Sequence, residues 1–190
     1  MLVGIISDTH GSLTAWTQAV NGPFAECDLI VHAGDVFYHG TRNPMPDGYD
    51  TLGLAESMMA CSTRIVIARG NCDSEVDQMV LGIPISAPFA EVSCGGGTIL
   101  VQHWQRGGQD EMKDIIERFR PRVFVTGHTH VPGLCVSGQT LIVNPGSPSL
   151  TNHPDGIRTV GRVRLDDDSR VHGEIVNVEI NKVLEHVSLG

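Results

Sequence analysis

The sequence predicts an α/β layered fold whose last third is mostly β. Short Val/Ile/Leu runs bounded by turn residues recur at Leu2–Ile6, Leu29–His32, Arg64–Ala68, 98–102 and 122–126, each with the length and apolar content of a buried strand. Helical patterns lie between several of these runs, and strands alternating with helices specify α/β layers. From residue 133 onward the pattern changes to hairpin-like strands at 133–136, 140–143, 158–165 and 171–180.

The elements follow in order. After the first strand, Ser12 caps a helix over 13–20, and a second helix covers 51–60. A third covers 111–120 behind Asp110, where Met112, Ile115, Ile116 and Phe119 repeat at the i, i+3, i+4, i+7 spacing of one buried face. Residues 36–50 hold Gly40, Pro44, Pro46 and Gly48 without apolar periodicity, so a rim or lid loop is expected. The Gly95-Gly96-Gly97 run reads as a turn between strands; no helix pattern follows it, which argues against a phosphate-binding loop. Asp166-Asp167-Asp168-Ser169 reads as the turn joining the strands at 158–165 and 171–180.

A chain of 190 residues with 41% apolar side chains can bury one sizeable core, so a single domain over 1–190 is expected. No apolar run approaches the ~20 residues that span a bilayer. With 13 basic against 22 acidic residues the net charge is −9, so no broad basic face for nucleic acid is expected, and any phosphate must be met locally. The N-terminal stretch has no basic region and no long apolar segment, so no secretory signal is expected. Five cysteines form an odd set with no CxxC spacing, which argues against a disulfide framework or a thiolate zinc site and points to a cytoplasmic location.

Polar residues stand at the strand ends. Asp8 and His10 follow the first strand, Gly34-Asp35 the second and Gly70-Asn71 the third; His103 ends the 98–102 strand, and Gly127-His128-Thr129-His130 follows the 122–126 strand. Ligand sites of α/β sheets are built at the carboxyl ends of strands, so these segments can converge. Two divalent ions about 3.5 to 4 Å apart need a shared anionic oxygen and enough neutral ligands to limit charge. Asp35 suits the bridge, Asp8 and His10 can reach one ion, and Asn71 offers a neutral oxygen to the other. His103, His128 and His130 complete imidazole-rich shells. Oxygen and imidazole donors without thiolate favour Mn, Fe or Zn in a catalytic role.

The ordered set Asp8-Thr9-His10, Gly34-Asp35, Gly70-Asn71-Cys72-Asp73, His103 and Gly127-His128-Thr129-His130 resembles the calcineurin-like metallophosphoesterases, in particular their small phosphodiesterase branch. Residues 39–44, 70–79 and the Asn144-Pro145-Gly146-Ser147 loop carry the closer likeness, which covers most of residues 1–150. The resemblance implies a four-layer αββα sandwich of two mixed sheets. It implies a binuclear centre with two divalent ions, manganese first and zinc or iron as alternatives. Asp8, His10, Asp35 and His130 would hold one ion, and Asp35, Asn71, His103 and His128 the second, with Asn71, His103 and His128 also serving catalysis. The implied reaction is hydrolysis of a small phosphate ester, a diester first, by attack of a metal-bridging hydroxide. Two departures stand out. Relatives often read His-Gly-His where this chain has His103-Trp104-Gln105, and larger relatives place His after the Asn where this chain has Cys72.

Other residues carry plainer readings. His32, within an apolar strand, reads as a satisfied core histidine. Cys72 reads as a buried neighbour of the metals and Asp73 as a residue that orients its neighbours. His39, Arg42 and Asn43 in the rim loop, together with Cys72, are the candidate substrate contacts. Asn144 and Gly146 read as structural turn residues. The alternatives to a diesterase are a phosphomonoesterase and a fold-retaining interaction scaffold without catalysis, like the retromer subunit that resembles this family. A membrane partner is not expected, a nuclease lacks a basic tract, and a homo-oligomer is left open.

Overall fold

The computed structural model describes residues 1–95, 97–168 and 170–190. The chain runs β1 (Leu2–Ile6), α1 (Leu13–Asn21), β2 (Leu29–His32), α2 (Thr51–Met59), β3 (Arg64–Ala68), α3 (Glu75–Leu81) and β4 (Ile85–Ser86). It continues with β5 (Ala90–Cys94), β6 (Gly97–Val101), α4 (Gln109–Phe119), β7 (Val123–Val125), β8 (Pro132–Ser137) and β9 (Thr140–Pro145). Strands β10 (Thr159–Leu165), β11 (Val171–Asn177) and β12 (Lys182–Leu189) close it.

Among the described residues these form two mixed sheets. The first has seven strands in the order β12-β11-β10-β1-β2-β3-β4, and the second has five in the order β5-β6-β7-β9-β8. Strands β1 to β4 run parallel, while β10 to β12 add antiparallel beside β1. In the second sheet β6, β7 and β9 are parallel, flanked by antiparallel β5 and β8.

Three apolar clusters give the layer order. Val3, Ile5 and Val31 of the first sheet pack against Ile99, Val125 and Val143 of the second, forming the layer between the sheets. Ile6, Ile30 and Ile67 meet Trp16, Leu54 and Met58 of α1 and α2 on the outer face of the first sheet. Leu100 and Phe124 meet Ile116 of α4 on the outer face of the second. The result is the expected αββα sandwich. Central strands buried on both faces read as continuous apolar runs, which is why β1, β2 and β3 match their expected bounds.

Local chemistry places the ends. Ser12 Oγ accepts Ala15 N–H at 3.1 Å, and Asp50 caps α2 through Gly53 N–H at 2.9 Å. Helix α4 begins at Gln109, before the expected 111, and β11 ends at Asn177, short of 180. Helix α3 and strands β4, β5 and β12 were not marked by the sequence. The expected glycine turn includes Gly96 and the expected 166–169 turn includes Ser169, both outside the described residues.

Candidate metal centre and cleft

The strand ends do converge. Asp8 and His10 follow β1, Asp35 follows β2, Asn71 follows β3, His103 follows β6, and His128 and His130 follow β7. Asp8, His10, Asp35, His128 and His130 all adopt positive φ, between 48° and 69°. Each such non-glycine residue costs on the order of 1 to 2 kcal/mol and persists only where surrounding bonds hold it. Here the 8–11 turn is fastened to the 34–36 turn by Asp8 N–H to Gly34 O at 3.0 Å, His10 N–H to Asp35 O at 3.1 Å and Gly11 N–H to Val36 O at 2.8 Å. Asp73 fastens the third turn, its carboxylate accepting the N–H groups of Asp35, Val36 and Gly70. The turns approach so closely that a Cβ on Gly34 would lie 2.5 Å from Gly70 N, and one on Gly70 would lie 2.2 Å from Asp35 Oδ1. The glycines before Asp35 and Asn71 are therefore required by contact between the two turns.

At the centre lie two carboxylates and three imidazoles. Asp8 Oδ1 is 3.6 Å from His10 Nε2, 3.8 Å from His103 Nε2 and 3.2 Å from His130 Nε2. Asp35 Oδ2 is 3.3 Å from His103 Nε2 and 3.9 Å from His10 Nε2. The far side of each group is spoken for. His10 Nδ1 donates to Tyr38 O at 2.7 Å, His103 Nδ1 to Ala33 O at 2.9 Å, and His130 Nδ1 to Leu150 O. Because a carbonyl only accepts, Nδ1 carries the proton, and in the neutral ring Nε2 presents its lone pair inward. Asp8 Oδ2 accepts from Ser7 Oγ and from His128 N–H, leaving Oδ1 inward. Asp35 Oδ1 accepts Cys72 N–H at 2.7 Å, leaving Oδ2 inward.

With the rings neutral, lone pairs of oxygen and nitrogen thus converge with no donor between them, even though His10 Nε2 and His130 Nε2 lie 3.1 Å apart. Asp8 Oδ1 and His103 Nε2 are buried without a hydrogen-bond partner among the described residues. Such an array requires a positive charge, either a proton or a metal ion. The groups Asp8, His10, His130 and Asp8, Asp35, His103 each bring their donor atoms within 4.8 Å of one another, and the oxygen and imidazole donor set fits a divalent ion. His10, Asp35 and Cys72 form a third such group.

The titration shifts express the same demand. Burial alone would lower His103, but Asp35 and the charge of Asp8 outweigh it and push its pKa up to about 9. His10 is raised for the same reason, chiefly by Asp8 against burial. Burial would raise Asp8, yet His10, His130 and His103 hold it far below the usual carboxylate range. Cys72 is pushed up to about 12 by burial and then by the Asp35 charge, so it stands as a neutral thiol and not as a nucleophile.

Above the centre opens a cleft of about 700 Å³. Asn71, Cys72 and His128 reach its wall beside His10, Asp35 and His130, and Arg42 and Asn43 line it from the rim loop. Asn71 Nδ2 donates to Cys72 Sγ at 3.3 Å, which turns its Oδ1 away from the thiol. The His128 ring meets the His103 ring edge to face at 5.2 Å. His39 is not brought to the cleft: its ring lies edge-on between Tyr38 and Tyr49, at 5.0 and 5.3 Å. Trp104 turns outward against Phe124, leaving His103 free to face inward. His32 is satisfied as expected, by Thr9 Oγ1 at 3.0 Å and Gly34 N–H at 3.1 Å. Asn144 Nδ2 ties down Gly127 O and Thr129 Oγ1, both at 3.0 Å.

Several contributors were not foreseen. Ser147 and Ser149 both donate to the Asp8 carbonyl, at 2.8 and 2.9 Å. Thr151 and Asn152 line the cleft from the loop after β9. The Asn-Pro-Gly-Ser run marked this loop in the sequence, but nothing in it pointed to Asp8.

Comparison with known proteins agrees with this geometry. The family model of the calcineurin-like phosphoesterase superfamily domain matches residues 1–168. The chain is 37% identical over 164 residues, 85% of each chain, to phosphodiesterase YfcE of Escherichia coli K12. It is 28% identical over 178 residues, 93% of this chain and 92% of the relative, to a probable metallophosphoesterase of Methanothermobacter thermautotrophicus. The solved structure of E. coli YfcE superimposes with a TM-score of 0.81 at 30% identity over the full length of both chains. A Vps29 structure from Entamoeba histolytica complexed with zinc, at TM-score 0.67 and 16% identity over the full length of both chains, shares the fold. No helix among the described residues is long and apolar enough to cross a membrane. A family match over most of the length, joined to a donor cluster that demands a cation, makes this chain a member of the calcineurin-like phosphoesterase superfamily and a metal-dependent phosphoric ester hydrolase.

Proposed function

We propose that the chain is a phosphodiesterase that hydrolyses a small phosphate ester at a binuclear metal centre. The observation that carries this reading is the pair of buried inward atoms with no hydrogen-bond partner, Asp8 Oδ1 and His103 Nε2, in an array of convergent lone pairs. Asp8, His10, Asp35 and His130 would hold one ion, and Asp35, Asn71, His103 and His128 the other, with manganese favoured over zinc or iron. Such ions supply the positive charge that a phosphate needs in a chain of net charge −9, and a water acidified towards neutral pH.

The chain's own groups do the rest. Carbonyls of Ala33, Tyr38 and Leu150 keep three imidazoles in the tautomer whose Nε2 faces inward. Asn71 offers a neutral oxygen, and exposed His128 lines the cleft where a phosphoryl oxygen would lie. Arg42 supplies a cation on the wall for the ester's remaining negative charge. A Cys72 thiol with a pKa of about 12 is too weak an acid to protonate a departing oxygen, so esters with acidic leaving groups should react fastest. The name of the E. coli relative supports the diester class.

The test is metal removal by chelation and reconstitution with Mn, Zn, Fe or Mg, assayed on bis(4-nitrophenyl) phosphate and 4-nitrophenyl phosphate. Activity should vanish without metal, return with it and favour the diester. Asp35→Asn should lower bound metal and reduce kcat/KM by at least about a hundredfold while the circular dichroism spectrum is kept. Two metals and near wild-type turnover in Asp35→Asn would overturn the binuclear reading. Preference for the monoester would make the protein a phosphomonoesterase, and two bound metals without hydrolysis of either ester would make it a scaffold.

A further inference from the structure

We propose that the cleft is built for a diester whose second substituent is a neutral polyol, a glycerol-like or sugar-like group, and that Asn43 and Asn152 read its hydroxyls. The inference rests on the diesterase reading and specifies its substrate class. Asn43 and Asn152 stand on two separate loops that both line the cleft. Asn43 Nδ2 donates to His39 O at 2.8 Å, and Asn152 Nδ2 donates to Thr129 O at 2.8 Å. A carbonyl only accepts, so both amides are fixed in one orientation, nitrogen to the protein and Oδ1 left over. No group among the described residues donates to either Oδ1. Asn152 is held further by its own N–H to His130 O at 3.0 Å, which seats it on the loop that carries a candidate metal ligand.

The neighbouring hydroxyl does not compete: Thr151 Oγ1 donates to Ile157 O at 2.8 Å and accepts His153 N–H at 3.0 Å. Beside Thr41 and Tyr38 of the rim loop, the wall therefore includes two amide acceptors and one guanidinium, Arg42. Acceptors need donors from the ligand. A substituent bearing phosphate or carboxylate brings only acceptors to them, and an alkyl or aryl group strips them of water and gives nothing back. An amine could donate, but Arg42 on the same wall repels a cation. Neutral hydroxyls satisfy the amides without charge, and their oxygens can in turn accept from Arg42.

The test compares the 3,4-dihydroxybutyl, butyl and 4-aminobutyl esters of 4-nitrophenyl phosphate with metal-loaded enzyme. All three share a leaving group, and no hydroxyl is placed to attack phosphorus through a five-membered ring. The dihydroxybutyl ester should exceed both others in kcat/KM by about tenfold, the worth of two modest hydrogen bonds. In Asn152→Ala and in Asn43→Ala, the second remote from the metal-bearing loop, that ratio should fall to about threefold, and in the double variant towards one. Equal rates in the wild type, or a lead for the butyl or aminobutyl ester, would overturn the polyol class and leave the diesterase reading standing. Hydrolysis of none of the three by enzyme carrying metal would overturn both.

Discussion

His32 is the last residue of β2 and has no exposure, with Thr9 Oγ1 on one ring nitrogen and Gly34 N–H donating to the other. Nδ1 must accept that N–H, so Nε2 carries the proton and the ring is neutral. Burial, only partly offset by the Asp8 charge, pushes its pKa down to about 3. An unfolded chain takes up a proton near its ordinary 6.5, while the folded one refuses it until about 3. The unfolded state therefore binds more protons across that window, and stability falls as pH drops through it, by up to about 1.4 kcal/mol per pH unit from this residue. Urea midpoints of metal-free protein should fall between pH 7 and pH 4, and His32→Gln should flatten that slope. An equal slope in both would remove His32 as the cause. The same residue illustrates what a sequence shows: a histidine flanked by Leu29, Ile30 and Val31 reads as core without any structure. Asp8, His10, Asp35, His103 and His130 were legible for a different reason, since imidazole and carboxylate directly after apolar strands have few other uses. Ser147 and Asn152 were not legible, because they act on partners far away in sequence and through main-chain atoms, which leave no residue-type signature.

The loop after β9 shows that limit at the scale of an element. Its two serines bond to the carbonyl of a residue held at φ 57°, and Ser147 Oγ also accepts Leu150 N–H at 2.8 Å, next to the carbonyl that orients His130. Replacing both, Ser147→Ala with Ser149→Ala, should weaken metal binding about tenfold to a hundredfold with secondary structure retained, as read by metal titration beside circular dichroism. Unchanged affinity would mean that the 34–36 turn, with Ser7 and the His128 N–H, holds Asp8 without the two serines. Most regular elements with a buried apolar period were legible, although β5, which alternates buried Ala90 and Val92 with exposed Glu91 and Ser93, was not, and β8 was legible without a buried residue. Helix α3 has seven residues, buries only Leu81 and leaves Val76, Met79 and Val80 exposed, so its evidence lies in a capping box between Ser74 and Asp77 and not in periodicity. Strand β12, at the sheet edge, has no buried residue, and β4 is two residues long. The rim loop was visible from its glycines and prolines, yet the turn of His39 away from the cleft depends on Tyr38 and Tyr49, which its own sequence position does not reveal.

For the whole molecule, the sheet order matters more than the chain order. The family match ends at residue 168, but β11 and β12 lie beyond it and complete the sheet through β10, which pairs with β1. Val171 and Ile175 of β11 belong to the layer between the sheets, and Val176 to the outer one. We therefore read the 190 residues as one domain and expect a single calorimetric unfolding transition. A chain ending at residue 168 should fail to give a soluble folded product; a truncated protein with a native-like transition would show that the last strands are an appendage. The proposed ligands are split between the two sheets, Asp8, His10, Asp35 and Asn71 on one and His103, His128 and His130 on the other. The apolar side chains between the sheets thus act as a spacer: their thickness sets how far apart the two halves of the donor array stand. Volume changes at Val3, Ile99 or Val143, none of which faces the cleft, are then alterations to the gauge of the candidate metal site, and the interior of this protein sets the spacing of its donor groups.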